Sequence, residues 1–286
     1  MALLKGVDLS AMQGAAGLTE QCWDALAAAD IKFAILRLCI GNETWSDLRT
    51  VQANVARAKA RGIAVTGYFF PYPLPHLDPR EQVERFVSLL AGLGTNVGEL
   101  PPAFDLEWPP PEHRDPTSGR LIDDWAKWKC SASQIRDWAL AALDHGESLT
   151  GVTWLLYSYR YYLKRIQAEL APEFAARPLW LADYTYQGIW PTDAQIVKLA
   201  APQPWDAITI VQHDGNGGLR LPNGGDADFN VLIGGDDRLA QLTAGAAQPP
   251  PVFSNIPSLA AAQTDAPLVS DDELAAYRRE RLDEAA

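Results

Sequence analysis

The chain has 286 residues, 48% of them hydrophobic, which is enough for one large α/β domain or two small ones with a sizeable core. Its formal net charge of -12 argues against a nucleic-acid partner, which would require a basic surface. No apolar run is long enough for stable membrane insertion.

The cysteines and the N-terminus indicate a reducing compartment. Cys22, Cys39 and Cys130 stand at no metal-ligand spacing, so we expect reduced, mostly buried thiols rather than a disulfide framework. The chain reaches its first strand too soon for a secretion signal. We therefore expect synthesis in the cytoplasm without a signal peptide.

In chain order, apolar runs alternate with helical patterns through most of the sequence. Thr19 is placed to cap the first helix, and Pro79 opens the third. The predicted helices cover residues 19–29, 47–61, 78–93 and 121–143, with a further helix ending near residue 170. The predicted strands cover residues 6–10, 33–39, 63–70, the segment that ends at Asp105 and Glu107, and then residues 152–157, 178–183, 208–212 and 226–233.

This pattern predicts an α/β fold, an irregular (β/α)8-like barrel, with little helix between the last strands. Polar and aromatic residues collect where the predicted strands end. Because the C-terminal strand ends of such barrels build the active site, we expect these residues to converge there. They are Asp8, Tyr68, Asp105, Glu107, Tyr157, Asp183, Gln212 and Asp228.

The segment from Leu100 to Trp108 is the most informative stretch of the sequence. Side chains alternate in a strand, so Asp105 and Glu107 share one face and Phe104 and Trp108 take the other. Two neighbouring carboxyl groups can differ in pKa, so that one stays protonated while the other is ionised. Glycoside hydrolysis uses such a pair, although two solvated acids at a strand end are the commoner meaning of an isolated Asp-x-Glu.

The composition changes near the C-terminus. We predict a barrel over residues 1–243, a Pro/Ala-rich linker over 244–269 and a short charged helix over 270–286, opened by a capping box at Ser270. The simplest interpretation of this helix is a solvated tail, and attachment to a virion or another protein partner is the alternative.

Together these segments resemble the glycoside hydrolase family 25 lysozymes over residues 5–235. The order and spacing of the matching segments carry the resemblance. These are Gly6-Val7-Asp8-Leu9-Ser10 with Gln13-Gly14, Ile35-Leu36-Arg37, Asn54 with Ala58 and Gly62, Gly67-Tyr68, Gln82 with Phe86, Pro101 to Glu107, Leu156-Tyr157-Ser158, Leu179 to Tyr184, and Asp228-Phe229-Asn230.

The resemblance implies an irregular barrel that cleaves the β-1,4 bond between N-acetylmuramic acid and N-acetylglucosamine in bacterial peptidoglycan. It implies Glu107 as the catalytic acid, Asp105 as its close partner, and Asp8 and Asp228 as two outlying acids. It implies no metal and no cofactor. With no signal peptide expected, such a muramidase would belong to a bacteriophage or bacterial lytic system, either as an endolysin that acts on the cell wall after release or as a virion-associated lysin that is carried in a virion.

The sequence departs from the family pattern at three strand ends and in the loop that spans residues 108–124. Leu38-Cys39-Ile40-Gly41 stands where the family usually has Ala-Thr-Glu-Gly and so lacks an acid. Tyr68-Phe69-Phe70 replaces Tyr-His-Phe, and Val211-Gln212-His213 replaces Trp-Gln-Tyr. The four acids are retained, so the changes concern sugar contacts and subsite preference.

Several site residues have a structural alternative. Tyr68, Tyr157 and Tyr184 either line the substrate groove or pack in the core, and Asp183 either binds sugar or bonds a nearby backbone amide. Asp8 and Asp228 act electrostatically, position substrate or cap loops. Of two further residues not counted among the site residues, Trp108 is expected to pack and His213 to be a solvated loop residue.

Two other functions fit the same barrel. One is a non-catalytic wall-binding or virion structural module, which would be expected to have lost Glu107 or Asp105. The other is a glycosidase of another N-acetylated polysaccharide, which the altered strand ends suggest. Peptidoglycan lysis with analysis of the new reducing ends separates all three.

Overall fold

The computed structural model describes residues 2–10, 17–41, 43–44, 48–93, 100–114, 118, 120–123, 125, 128–223 and 225–246. The described residues all belong to one compact unit, Met1–Val252. The second unit, Phe253–Ala286, lies outside them, as does nearly all of the predicted linker and terminal helix. No helix in the described ranges has both the length and the apolarity needed to cross a membrane.

Eight strands close into a barrel. In chain order the described strands are β1 (Leu3–Leu9), β2 (Ile31–Ile40), β3 (Glu43–Thr44), β4 (Ala64–Phe70), β5 (Ala103–Asp105), β6 (Glu112–Arg114), β7 (Leu121–Asp123), β8 (Leu155–Tyr159), β9 (Leu179–Ala182), β10 (Ile210–Arg220) and β11 (Asp226–Ile233). The ring runs β1-β11-β10-β9-β8-β5-β4-β2, and the pairing of β2 with β1 closes it. The predicted barrel is confirmed.

Six described helices lie between these strands in sequence, and a seventh follows β11. They are α1 (Glu20–Ala28), α2 (Leu48–Lys59), α3 (Pro79–Gly92), α4 (Ala132–Thr150), α5 (Arg160–Arg165), α6 (Asp193–Ile196) and α7 (Gly235–Ala246). Thr19 caps α1 by accepting a hydrogen bond from the Cys22 amide at 3.3 Å, and Asp78 caps α3 by accepting one from the Arg80 amide at 2.8 Å. Side-chain oxygens thus satisfy amides that have no partner inside the helix, as the sequence predicted for α1.

The helix predicted over residues 121–143 begins later than expected. Residues 121–123 form β7, which pairs with β6 in an antiparallel hairpin. The helix starts only after Ser131, whose hydroxyl accepts the Gln134 amide at 3.3 Å. The prediction was wrong here because residues 121–123 pair with residues 112–114 as a strand, and Ser131 provides the actual N-cap of the helix.

The direction of the last strand departs from that of a regular barrel. Neighbouring strands from β1 through β2, β4, β5, β8 and β9 to β10 are parallel, whereas β11 is antiparallel to both β10 and β1. A short hairpin connection between β10 and β11 suits antiparallel pairing, since a parallel crossover needs a dozen or more residues. The N-terminal end of β11 therefore lies at the barrel end where the other strands have their C-terminal ends.

The barrel interior is filled by alternate residues of the strands. The buried cluster includes Phe33 and Ile35 from β2, Tyr68 from β4, Leu155 and Tyr157 from β8, Trp180 from β9, Ile210 from β10 and Leu232 from β11. The outer faces pack on helices, for example where the Phe69 ring stacks on Phe86 of α3 at 5.5 Å. Because side chains alternate along a strand, each residue near the end of a strand points either into the barrel or away from it.

Candidate functional site

The strand register brings the predicted acids to one end of the barrel, the mouth. Asp8 is the register partner of Asp228 across the β1–β11 pair. Asp105, at the end of β5, is the partner of Tyr157 on β8. Since Tyr157 belongs to the interior cluster, Asp105 shares its inward face. Asp8 pairs with Ile35 on β2, which also faces inward.

Asp105 and Glu107 are both buried. Their relative exposures are 4% and 3%. The backbone continues beside β8 beyond the end of β5, because the Leu106 amide donates to the Tyr157 carbonyl at 2.9 Å and the Ser158 hydroxyl donates to the Leu106 carbonyl at 2.7 Å. This backbone pairing fixes the segment that carries both acids.

The electrostatic surroundings of Tyr157 show that the acids converge. Burial raises the pKa of the Tyr157 hydroxyl well above its ordinary value, and Tyr184, Asp105, Asp8 and Asp228 raise it further. These acids come from three different strands, so the Tyr157 hydroxyl lies among them. Tyr157 remains a neutral hydrogen-bond donor at any physiological pH.

Asp8 lies in a buried hydrogen-bond network. Its Oδ2 accepts from Gln212 Nε2 at 2.7 Å and from Asn230 Nδ2 at 2.8 Å. Gln212 Oε1 accepts the hydroxyls of Tyr157 and Tyr184, each at 2.8 Å. The network therefore joins β1, β8, β10, β11 and the turn that follows β9.

The remaining predicted substrate ligands differ in their surroundings. Tyr68 is buried in the interior, with its ring edge-on to Trp180 at 6.1 Å. Asp183 caps the turn after β9, accepting from the Thr185 amide at 3.2 Å and its hydroxyl at 2.6 Å, and pairs with Arg160 at 2.8 Å. Of the two alternatives for Asp183, the structure shows the bond to a backbone amide.

Two interior residues were not among the predicted site residues. Asn230 lies beside Asp8, and Arg37 is the register partner of Tyr68 and so faces the interior, where it is buried. Arg37 therefore places a positive charge inside the barrel. The signal for it was its interruption of an apolar run, since a charged residue in a strand buried on both faces needs a partner.

Trp108 packs, as predicted. Its ring lies 4.9 Å from Tyr72 and 4.7 Å from Trp128, and its carbonyl accepts the Tyr162 hydroxyl at 2.8 Å. The aromatic contacts anchor the insertion after β5 beside Glu107.

The prediction that His213 is a solvated loop residue was wrong. It lies within β10, with 0% relative exposure, and packs between Trp190 at 5.0 Å and Phe229 at 5.9 Å. Gln212 faces inward, so strand alternation turns His213 to the outside of the barrel. There the loop that carries Trp190 covers it.

The thiols lie where the sequence suggested. Cys22 and Cys39 are buried, Cys130 is half-buried, and all three are free. Burial raises the pKa of Cys130 to about 11, so it is not a reactive thiolate at neutral pH. Among the residues described, no group of three or more His, Cys, Asp or Glu side chains is arranged to hold a metal ion.

Comparison with known proteins identifies one family. The family model described as "Glycosyl hydrolases family 25" matches residues 7–220, which include Asp8, Asp105, Glu107 and Gln212. No curated protein sequence matches the chain.

Solved structures share the fold. A bacterial lysozyme from Streptomyces coelicolor matches with a TM-score of 0.60 at 23% identity, covering 85% of this chain and 97% of that one. A muramidase from Acremonium alcalophilum matches with a TM-score of 0.59 at 22% identity, covering 85% and 99%. A family GH25 lysozyme from Aspergillus fumigatus matches with a TM-score of 0.61 at 19% identity, also covering 85% and 99%.

Proposed function

This chain belongs to glycosyl hydrolases family 25 and is a glycoside hydrolase, and we propose that its substrate is bacterial peptidoglycan. It cleaves the β-1,4 bond between N-acetylmuramic acid and N-acetylglucosamine. The observation that carries the proposal is the buried pair Asp105 and Glu107 at the mouth of a closed barrel. The similar solved structures described as lysozymes and muramidases support the choice of substrate.

Glu107 acts as the general acid. Burial disfavours the charged form of a carboxyl group, and so do neighbouring carboxylates. A protonated Glu107 donates its proton to the glycosidic oxygen while the bond from that oxygen to the anomeric carbon breaks. Positive charge then develops at the anomeric carbon.

Asp105 acts as the ionised partner. It either attacks the anomeric carbon or orients the substrate's own acetamido group for that attack, and both routes require a carboxylate. Water then displaces Asp105 or the acetamido oxygen from the anomeric carbon, and Glu107 takes back the proton that the water loses. Asp8 and Asp228 add negative charge to the same mouth, which favours a cationic transition state.

The test is lysis of purified peptidoglycan by the wild type and by Glu107→Gln. The substitution keeps the shape of the side chain and removes the transferable proton, so activity should fall by at least about a hundredfold. Glu169→Gln, a change at an exposed glutamate on a 3-10 turn, is the matched control and should keep full activity. Half of wild-type activity in Glu107→Gln would remove Glu107 from the mechanism.

The products decide between the candidate functions. Borohydride reduction of the digest converts each new reducing end to its alditol. The alditol of muramic acid supports the proposed bond, whereas another amino-sugar alditol or cleavage of a different polysaccharide supports the alternative glycosidase. Binding without new reducing ends would support the non-catalytic wall-binding module.

We further propose that the enzyme serves a bacteriophage, as an endolysin or a virion-associated lysin. A solved structure described as the CTP1L endolysin has a TM-score of 0.57 at 16% identity, covering 84% of this chain and 70% of that one. An endolysin expressed inside a bacterium should lyse the cell only when the membrane is permeabilised. Lysis without permeabilisation would contradict this role.

A further inference from the structure

Two side-chain amides donate hydrogen bonds to the carboxylate of Asp8. Gln212 and Asn230 place their nitrogens 2.7 and 2.8 Å from the same carboxylate oxygen, Oδ2. All three side chains are buried. Asp8 lies 204 residues from Gln212 and 222 from Asn230 along the chain, so only barrel closure brings them together.

The chemistry of the partners fixes the orientation of the Asn230 amide. Its Oδ1 accepts from Trp180 Nε1 at 2.7 Å, and an indole nitrogen can only donate. Its Nδ2 donates to Asp8 Oδ2 and, at 3.3 Å, to the Asp228 carbonyl, and a carbonyl can only accept. Each end of the amide therefore has a partner that excludes the flipped orientation.

Gln212 is fixed in a similar way. Its Nε2 faces the Asp8 carboxylate, while Tyr157 and Tyr184 each donate a hydroxyl to its Oε1 at 2.8 Å. Burial keeps Tyr157 protonated, so this donor persists. The amide group is thus engaged at both ends by the protein itself.

We infer that Gln212 and Asn230 are positioning residues, which hold Asp8 as a carboxylate in one orientation at the barrel mouth. The inference rests on the proposed function and deepens it, because it gives the charge of Asp8 a structural origin. Two N–H donors on one carboxylate oxygen favour the ionised form of that group. Gln212, which the sequence placed among the residues of the active site, acts through Asp8.

The support comes from three separate elements. Gln212 lies on β10, Asn230 on β11 and Trp180 on β9, while Asp8 lies on β1 next to β11. These strands include both antiparallel pairings of the barrel, β10–β11 and β11–β1. Together with Tyr157 on β8, the network is anchored on five strands, which limits the movement of Asp8 when positive charge develops on the substrate.

A double-mutant cycle tests whether Asn230 acts through Asp8. Asn230→Leu keeps the shape of the side chain and removes both amide donors. Loss of a hydrogen bond to a charged group should lower kcat/KM by roughly tenfold to a hundredfold in the wild-type background. In the Asp8→Asn background the same change should lower it by less than about twofold, because coupled residues do not contribute independently.

The matched control is a buried amide elsewhere. Gln82 on α3 donates from Nε2 to the Tyr72 carbonyl at 3.1 Å and accepts the Tyr72 amide at 2.9 Å. Gln82→Leu should change kcat/KM by the same factor in both backgrounds. If Asn230→Leu also gives equal factors, or if Asp8→Asn has wild-type activity, the inference is overturned.

A second measurement requires no substrate. In protein carrying 13C-labelled aspartate carboxyl groups, the Asp8 signal is assigned by its loss in Asp8→Asn. The midpoint of its titration should move to higher pH in Gln212→Met and Asn230→Leu, and stay unchanged in Gln82→Leu. An unchanged midpoint in both variants overturns the inference.

The two tests also separate this inference from the proposed function. A wild-type enzyme that leaves peptidoglycan intact would overturn the function, while the carboxyl titration would still decide whether the amides hold the Asp8 charge. If the enzyme is active, but Asn230→Leu lowers kcat/KM by the same factor in both backgrounds and the midpoint of the Asp8 titration does not move, the proposed function stands and the positioning role is overturned.

Discussion

Asp8 and Asp228 occupy the same register position on neighbouring strands, yet their surroundings differ. Asp8 is buried beneath two amide donors, whereas Asp228 is half-buried. The charges of Asp8 and Asp228 both raise the pKa of the Tyr157 hydroxyl, as does the charge of Asp105. We therefore expect Asp228 to act through its charge on the carboxyl groups at the mouth.

Replacing Asp228 with asparagine should show this effect at the scale of one residue. Removal of a repelling charge makes the proton of Glu107 easier to lose. Asp228→Asn should thus lower activity and move the alkaline limb of the pH–rate profile to lower pH. The profile of kcat/KM on solubilised peptidoglycan is the measurement.

Asp237→Asn provides the matched control. Asp237 is exposed on α7, which follows the end of β11 opposite the mouth. Asp237→Asn removes the same charge from the molecule and should leave the alkaline limb of the pH–rate profile at the same pH. Equal shifts in the two variants, or no shift in Asp228→Asn, would refute a local electrostatic role.

At the scale of elements, the outer face of β10 and β11 contains a buried histidine, His213. Trp190 lies 4.3 Å from Phe229 and carries Lys5 Nζ above its ring at 5.0 Å. His213 lies beside both rings. Burial lowers the pKa of His213 to about 4, and the Asp214 carboxylate and Tyr186 backbone only partly offset this.

This face should make the fold sensitive to acid. The unfolded chain takes up a proton on His213 near the ordinary pKa of 6.5, while the folded protein resists it down to about 4. The contribution to stability is therefore present above pH 6.5 and is lost as the pH falls towards 4. A difference of this size corresponds to roughly 3 kcal/mol.

His213→Phe removes the titrating group and keeps an aromatic ring in the cluster. Between about pH 7 and about pH 4.5, the free energy of unfolding in urea should fall less in the variant than in the wild type, by up to roughly 3 kcal/mol. Other groups titrate in the same range, so the difference between the two proteins is the quantity to compare. An identical pH dependence would show that His213 is already solvated or paired.

At the scale of the whole molecule, all the residues placed at the mouth lie between Asp8 and Asn230. The last described helix, α7, runs to Ala246, three residues past the boundary expected from composition, and Leu242 on it packs in the core. Helix formers such as alanine continue a helix readily, so composition alone does not mark the residue at which α7 ends.

Truncation after Ala246 should leave chemistry intact. It keeps α7 and the barrel and removes the segment predicted to be linker and charged helix. Hydrolysis of purified peptidoglycan and the thermal midpoint should both match those of the full chain, whereas virion or partner attachment could be lost. An insoluble or unfolded truncated protein would mean that the barrel depends on the removed segment.

The sequence by itself predicted most of what repeats along the chain. Period-2 and period-3.6 patterns located eight strands and the early helices, and Asp105 and Glu107 stood out because two acids end an apolar strand. Thr19 and Pro79 gave the helix starts, since capping is a local interaction between residues close in sequence. Local patterns were enough for these features.

Only the tertiary structure decided the features that depend on distant contacts. The reversed direction of β11 places Asp228 at the mouth near the start of its strand, where the sequence had placed it at a strand end. His213 is buried because a distant loop covers it, and Gln212 is engaged by Asp8 because the barrel closes. Strand direction, burial and long-range hydrogen bonds are set by which segments meet, and no local pattern encodes that choice.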